Sequence, residues 1–221
     1  MIPLQLMPEP QNFDLNVRQK GALFLNKVPN PNYKDFVGKD YWRKAAKELY
    51  SSYRSICAYS CIYLPTSPGV VDHFLPKTKY PQLAYEWSNY RLCLDRLNQY
   101  KGNIENICDP FTIEIGWFVL DLPSCLIKPG EGLPQELHDK ILYTIDVLKL
   151  NKDDGLVQNR CDIIMYLIEG DINMNFVEEK YPFIAQEIKR QGLVNNLSDI
   201  FKRMDSVSYT HLRAHETLRH L

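Results

Sequence analysis

The residues of this chain best suited to chemistry lie between positions 71 and 103. Asp72 and His73 are adjacent, and Asn89 and Asn98 follow them. A neutral imidazole can take a proton from an attacking water near physiological pH. Asp72 and Asn98 offer one charged and one neutral oxygen ligand, which suits Mg²⁺ or Mn²⁺ held partly by water. Because phosphodiester hydrolysis needs a base and a cation that takes up charge on the phosphate, these residue types favour metal-assisted hydrolysis.

Each of these residues also has a structural interpretation. A histidine beside a turn aspartate can be a buried, hydrogen-bonded core residue, and asparagines suit turns and helix caps. Tyr85 and Trp87 are expected in the core, and not as platforms on which bases stack. The residue types alone therefore leave both interpretations of His73 open.

Several elements must bring these residues together. Apolar residues at three-to-four residue spacing predict a helix over 39–54. Its other face is basic and carries Lys39, Arg43, Lys44 and Lys47. This face either lies along a phosphate backbone or is an ordinary solvated face. Residues 55–71 are predicted to form a β-hairpin with a turn at TSPG. Residues 72–103 are predicted to be loop-rich and to end in a short helix near 91–101.

The rest of the chain predicts an arm and a helical body. Residues 1–37 are rich in proline and asparagine and are predicted to form an extended arm. The segment 111–127 is expected as strand or irregular core. Helical periodicity then predicts a helix from Pro134 to about residue 150, a second over 154–169 that Gly170 stops, and shorter pieces at 172–180, 182–191 and 195–204. The predicted fold class is α+β, mostly helical, with a small module at 38–110 embedded in a helical body at 111–206.

Composition limits the class of protein. Of the 221 residues, 45% are hydrophobic and 12% aromatic, which is too many for a disordered chain. There is no long apolar stretch and no signal-peptide pattern, so a cytoplasmic protein without a membrane partner is expected. The formal net charge is −1. Proteins that bind nucleic acid unaided usually carry a basic excess, so this balance favours a protein that a partner presents to its substrate.

The C-terminal segment 207–221 differs from the rest in composition. It holds three of the five histidines, His211, His215 and His220. The string VSYTHLRAHET resembles the in-frame translation of a common transposon-type sequencing adapter. The segment is therefore interpreted as a non-native tail, with a His-rich metal tract as the alternative. His138, inside a predicted amphipathic helix, is expected at the surface.

The segment 71–103, VDHFLPKTKYPQLAYEWSNYRLCLDRLNQYKGN, resembles the signature of HNH (ββα-metal) nucleases. The shared features are Asp-His followed by a proline, then Trp-Ser-Asn, Cys-x₄-Asn and Lys-Gly-Asn. Within this family the segment is similar to the PtuB-like proteins, the HNH components of Septu-type and retron-associated anti-phage systems. The similarity extends more loosely through 39–54 and 148–160.

This resemblance implies a role for each candidate residue. It makes His73 the general base, Asp72 and Asn98 the ligands of one Mg²⁺ or Mn²⁺ ion, and Asn89 the residue that holds the loop orienting the histidine. Three cations become candidates for binding substrate phosphate: Lys101, Lys77 and Arg91. The resemblance also implies a nucleic acid substrate and a PtuA-like ATPase partner. In retron-associated systems a reverse transcriptase and its RNA–DNA product would be further partners.

The cysteines depart from the pattern of many HNH relatives, which hold this module together with a structural zinc in two CxxC pairs. Cys57 and Cys61 are one residue too far apart, and Leu97 stands where a cysteine would precede Asn98. Cys57, Cys61 and Cys93 therefore make a poor tetrahedral set, and no structural zinc is expected.

Three functions fit these observations. The first is a nuclease effector of a defence system, acting on DNA or on RNA, including tRNA, and controlled by an ATPase. The second is a stand-alone restriction-type HNH endonuclease, which would need its own basic recognition surface. The third is a helical adaptor with a catalytically dead HNH-like module, against which the intact candidate residues argue.

Overall fold

The computed structural model describes residues 1–65 and 69–198. The segment 207–221 and the end of the helix predicted at 195–204 lie outside the described residues. Within them the fold is α+β and mostly helical, as predicted. The helices are α1 (Gln19–Leu25), α2 (Ala46–Ser52), α3 (Asp95–Lys101), α4 (Gln135–Val147), α5 (Asp154–Glu169), α6 (Met174–Lys180) and α7 (Pro182–Arg190). The strands are β1 (Val70–His73), β2 (Tyr90–Cys93), β3 (Phe118–Asp121) and β4 (Leu126–Pro129).

The predicted site lies on two strands and one helix. Strand β1 pairs antiparallel with β2, which places Asp72 opposite Arg91 and His73 opposite Tyr90. Only Leu94 separates β2 from α3, and α3 packs back against β1. The result is a β–β–α unit in which β1 and α3 carry the candidate residues.

The β-hairpin predicted over 55–71 is wrong. Val70 and Val71 pair with β2 and not with the preceding run, which makes a single described bridge, between Ile56 and Tyr63. The Cys61 N–H donates to the Cys57 carbonyl at 2.9 Å, and Cys61 has φ 58°. This tight left-handed turn ends the extended run before it can form a strand.

The extended arm predicted over 1–37 is wrong in its central part. A π-helical turn, Asp14–Arg18, continues directly into α1. Phe13 and Phe24 are buried beneath this helical segment, and the Phe13 ring packs edge-on against Trp87 at 5.6 Å between centroids. Most of the prolines and asparagines that suggested an arm lie on either side of the helix, so they do not interrupt it.

The helix predicted over 39–54 is confirmed over most of its length. A 3₁₀ turn, Tyr41–Ala45, leads into α2. Ala45 and Leu49 are buried, and the Trp42 ring lies edge-on to the His73 imidazole at 4.8 Å between centroids. This element therefore forms a wall beside the predicted site.

The predicted helical body is confirmed in α4, α5, α6 and α7. The Asp153 side chain caps α5 by accepting the Leu156 N–H at 3.0 Å, and Gly170, with φ 83°, ends it. Part of the segment 111–127 forms β3, which pairs with β4.

Two hydrogen bonds, one of them buried, attach the β–β–α unit to this body. The Cys108 N–H donates to the Thr144 hydroxyl of α4 at 2.8 Å, and the Tyr100 hydroxyl of α3 donates to Asp153 at 3.1 Å. One continuous cluster of buried apolar side chains runs through both parts. None of the helices in the described ranges combines the length and apolar content that a membrane crossing requires.

Gly21→Ala is expected to lower the free energy of unfolding by about 1–3 kcal/mol, the range for overpacked cores. A Cβ at this position would lie 2.1 Å from Cγ of the buried Tyr85 ring, so α1 or the ring must move. Alanine favours a helix over glycine by about 1 kcal/mol, which works in the opposite direction. Urea denaturation measures the difference. Leu23→Ala, at a 65% exposed position of the same helix, is the control, and a stabilised Gly21→Ala variant would contradict the packing.

Candidate active site

The Asp72 carboxylate is buried and held from two sides. The Tyr59 hydroxyl donates to Oδ2, and the Lys101 ammonium donates to Oδ1 at 3.1 Å. Burial and the neighbouring Asp72 raise the pKa of Tyr59, so its phenol stays protonated and donates. A carboxylate has about four lone-pair positions. Asp72 therefore keeps acceptor capacity toward the pocket that it lines.

Lys101 does not lie where a phosphate-binding residue was expected. Its side chain is fully buried, and Nζ donates to the Asp72 carboxylate and, at 2.7 Å, to the backbone carbonyl of His73. An ammonium in the last turn of α3 is directed beneath β1, where a buried charge requires a close partner. The prediction that Lys101 binds substrate phosphate is therefore wrong. The residue orients Asp72 and fixes the end of β1.

The His73 imidazole is held in one orientation. Nε2 lies 2.8 Å from the Ala84 carbonyl oxygen, and the rings of Trp42 and Tyr90 pack edge-on against it at 4.8 and 5.2 Å. Because a carbonyl can only accept, Nε2 carries the proton and Nδ1 is the basic nitrogen. Burial, followed by the charge of Lys77, lowers the pKa of His73 to about 3. The imidazole is therefore neutral near physiological pH.

Asn89 fastens the loop that carries the Ala84 carbonyl. Its Oδ1 accepts the Leu75 N–H at 2.8 Å. Its Nδ2 donates to the carbonyls of Leu75 and Leu83, at 3.0 and 3.1 Å. One side chain thus joins both ends of the loop 75–83, which leads directly to Ala84. This is the geometry expected of a residue that holds the loop orienting His73.

One pocket brings the candidate residues together. It has a volume of about 590 Å³ and is lined by Asp72, His73, Lys77 and Asn98. The β1 strand contributes one side, and α3 and the Tyr41–Ser52 helical segment contribute two others. Further lining residues are Tyr33, Trp42, Arg43, Ala46, Gly69, Val70, Val71, Pro76, Asp95, Gly102 and Asn103. The predicted base and both predicted metal ligands therefore line the same space.

The other two predicted phosphate-binding cations differ from each other. The Lys77 ammonium reaches the pocket, where it lies over the Trp42 ring at 5.1 Å. Arg91 is buried and donates to both oxygens of Asp109, at 2.9 and 2.7 Å, and its Cζ lies 3.5 Å from the Phe111 ring centroid. Its donors are used inside the protein, so the prediction that Arg91 binds phosphate is wrong.

The donors in the pocket suit a hard divalent cation. Asp72 supplies a carboxylate, and Asn98, which lines the same pocket, supplies a side-chain amide. The described residues hold no group of three His, Cys, Asp or Glu side chains that could bind a metal. An ion held by Asp72 and Asn98 would have one carboxylate oxygen, one amide oxygen and water as ligands, a donor set that Mg²⁺ accepts because it retains several waters.

The three cysteines considered for zinc do not converge. The Cys57 and Cys93 thiols hydrogen-bond to each other. Burial is the largest influence on the pKa of Cys57 and raises it, yet hydrogen bonds led by that of Cys93 bring it down to about 6. Cys61, beyond the left-handed turn, lies instead beside the amino group of Met1.

Sequence reasoning missed two groups on which the site depends. The Tyr59 hydroxyl that holds Asp72 lies in an apolar run, CAYSC, in which a tyrosine predicts only burial. The Ala84 carbonyl that orients His73 is a backbone group, and no residue type signals it. The buried position expected for Tyr85 and Trp87 is confirmed.

We expect His73 to remain neutral, with the proton on Nε2, from about pH 8 to about pH 5, because burial and Lys77 lower its pKa. Nitrogen-15 NMR of the histidine ring measures the tautomer directly. In the unfolded chain the His73 imidazole takes up a second proton near pH 6.5, whereas in the folded protein it does so only near pH 3. The contribution of the neutral imidazole to the free energy of unfolding is therefore complete above about pH 6.5 and is lost as the pH falls toward 3. His73→Gln should lose less stability between pH 7 and 5. An imidazole titrating near 6.5 would contradict the burial.

Asn89→Ala is expected to speed hydrogen exchange of the Leu75 amide by about ten-fold or more. The change removes three hydrogen bonds, each with a net value of about 1 kcal/mol, while 1.4 kcal/mol corresponds to a factor of ten. Asn106→Ala, at an exposed position, is the matched control. Unchanged exchange at Leu75 would show that Asn89 does not hold the loop.

No protein-family model matches this chain. The chain is similar to the Septu protein PtuB of Bacillus thuringiensis, with 36% identity over 90 residues. The matched stretch is 41% of this chain and 34% of that protein, so the chain spans about a third of the length of the curated relative it matches. Part of this chain is therefore similar to part of a Septu protein.

Proposed function

We propose that this chain is a metal-dependent HNH endonuclease that hydrolyses phosphodiester bonds, with DNA as the first substrate to test. The observation that carries the proposal is the shared pocket of Asp72, His73 and Asn98, in which the imidazole is fixed through Nε2 and Nδ1 is its basic nitrogen. The order β1–β2–α3 agrees with the ββα arrangement implied by the sequence resemblance.

His73 is the general base of the proposed reaction. Its Nδ1 accepts a proton from the attacking water, and the Nε2–H bond to the Ala84 carbonyl stabilises the imidazolium that forms. The charge of Lys77 helps to keep the pKa of His73 low. A substrate phosphate beside Lys77 offsets this charge and so raises the basicity of the imidazole when substrate is bound.

The remaining groups hold substrate and ligands in place. Lys77 binds the phosphate, and Tyr59 and Lys101 orient Asp72. A divalent cation bound by Asp72 and Asn98 would neutralise charge that develops on the phosphate and on the leaving oxygen. Because such a site contacts phosphate and not base edges, RNA, including tRNA, is the alternative substrate.

The similarity to PtuB supports a role in a Septu-type anti-phage system, with an ATPase partner that controls the nuclease. Two of the chain's cations, Lys101 and Arg91, are used in internal ion pairs, and the net charge is −1. A protein without a basic excess gains affinity for nucleic acid when a partner presents the substrate. This favours the partner-controlled nuclease over the stand-alone one.

His73→Ala is expected to reduce cleavage by about 10²-fold or more, the typical contribution of a general base. Plasmid DNA, single-stranded DNA and tRNA are incubated with the chain and a co-expressed PtuA-like ATPase, with Mg²⁺ or Mn²⁺, and nicks are mapped by sequencing. Chelation of the cation should abolish cleavage. His138→Ala, a change to an exposed histidine on α4, should leave it unchanged.

The same experiment separates the alternatives. Cleavage of equal rate without the ATPase would favour the stand-alone endonuclease. Cleavage that persists in His73→Ala would arise from a contaminant or from another site. No cleavage under any of these conditions would favour the adaptor whose HNH-like module is inactive.

A further inference from the structure

An exposed tyrosine on the pocket wall has no role in the proposed hydrolysis. Tyr33 lines the pocket and is 73% exposed. Its backbone is fixed by a capping box, in which Asn32 Oδ1 accepts the Lys34 N–H and Asp35 Oδ2 accepts the Asn32 N–H, both at 2.8 Å. The chain thus holds this residue in place while most of its surface stays open to solvent.

Lys77 connects this ring to the proposed base. Its ammonium lies 5.7 Å from the Tyr33 ring centroid and 5.1 Å from that of Trp42, and its charge acts on His73. The pocket therefore offers an aromatic ring, then a cation, then the imidazole of His73. A nucleotide carries matching groups in the same order: a flat nucleobase that can stack on the ring, then, across the sugar, a phosphate that can bind the cation.

We propose that Tyr33 is a stacking platform for an unpaired nucleobase next to the scissile phosphate, and that the substrate is therefore single-stranded nucleic acid. This inference rests on the proposed nuclease function and adds a substrate class to it. In a duplex both faces of a base are covered by its neighbours, and freeing one face costs unstacking energy. Since every base has a π-face, such a platform tolerates different sequences.

Size and charge support a single strand. A pocket of about 590 Å³ falls in the range of sites that enclose a small ligand. Arg43, whose side chain is 79% exposed, lines the same wall and pairs through its Nε with Asp40. Stacking on an aromatic ring supplies affinity that does not depend on a basic excess, which agrees with the net charge of −1.

The test measures binding without cleavage. The full chain in a His73→Ala background is titrated into labelled single-stranded DNA, single-stranded RNA and a DNA duplex, and fluorescence anisotropy gives each Kd. Tyr33→Ala should raise the Kd for a single strand by about ten-fold, within the range for loss of one stacked base. Tyr33→Phe keeps the ring and should bind as tightly as the background. Tyr143→Ala, at an exposed tyrosine of α4 outside the pocket lining, is the matched control and should have no effect.

An abasic scan makes the test specific to stacking. In oligonucleotides that lack one base at successive positions, one position should weaken binding to the protein with Tyr33 and have no further effect in Tyr33→Ala. Equal losses for duplex and single strand, or a Tyr33→Phe variant as weak as Tyr33→Ala, would overturn the stacking role. Unchanged binding in Tyr33→Ala, alongside cation-dependent cleavage that His73→Ala abolishes, would remove this inference and leave the nuclease intact. Loss of cleavage in every condition would remove the nuclease itself.

Discussion

A buried ammonium is the interaction on which the candidate site depends. Lys101 Nζ lies between the Asp72 carboxylate, at 3.1 Å, and the His73 carbonyl, at 2.7 Å, and so joins the last turn of α3 to the end of β1. Separating the two elements would leave buried charges without partners, which costs several kcal/mol. Because α3 also carries Asn98 and β1 carries the histidine, this contact sets the relative position of the predicted base and metal ligands.

The two lysines of the site have different environments. Lys101 is fully buried and serves Asp72, whereas Lys77 stands in the pocket between aromatic rings and the imidazole. The rings of Trp42 and Tyr90 exclude water from His73, and with the charge of Lys77 they explain why its pKa is low. An anion entering the pocket therefore meets the Lys77 ammonium beside a neutral imidazole, an arrangement that suits the binding of a phosphodiester.

Local signals predicted much of this structure, and long-range pairing was not predictable. Periodicity and caps predicted α4 and α5, and the resemblance of 71–103 to the HNH signature singled out Asp72, His73 and Asn98, which line one pocket. The basic residues Lys101 and Arg91 were misassigned because their partners, Asp72 and Asp109, are 29 and 18 residues away in the chain, where no local pattern reveals them. The strand pairing was not predicted for the same reason, because β1 pairs with β2 and the loop 74–89 separates the two strands in the chain. The N-terminal helix was not predicted because the prolines on either side of it dominate the composition of residues 1–37. The helix is instead stabilised by the burial of aromatic side chains, such as Phe13 against Trp87.

The central claim is that Asp72 and Asn98 share one divalent cation beside Nδ1 of His73. Diffraction at the manganese absorption edge, from crystals of the full chain grown with Mn²⁺, measures it most directly. One anomalous peak is expected in the pocket within coordination distance of both residues, and no peak is expected there in an Asp72→Ala variant that remains folded. A manganese ion bound elsewhere, with Asp72 and Asn98 too far apart to share it, would contradict the account.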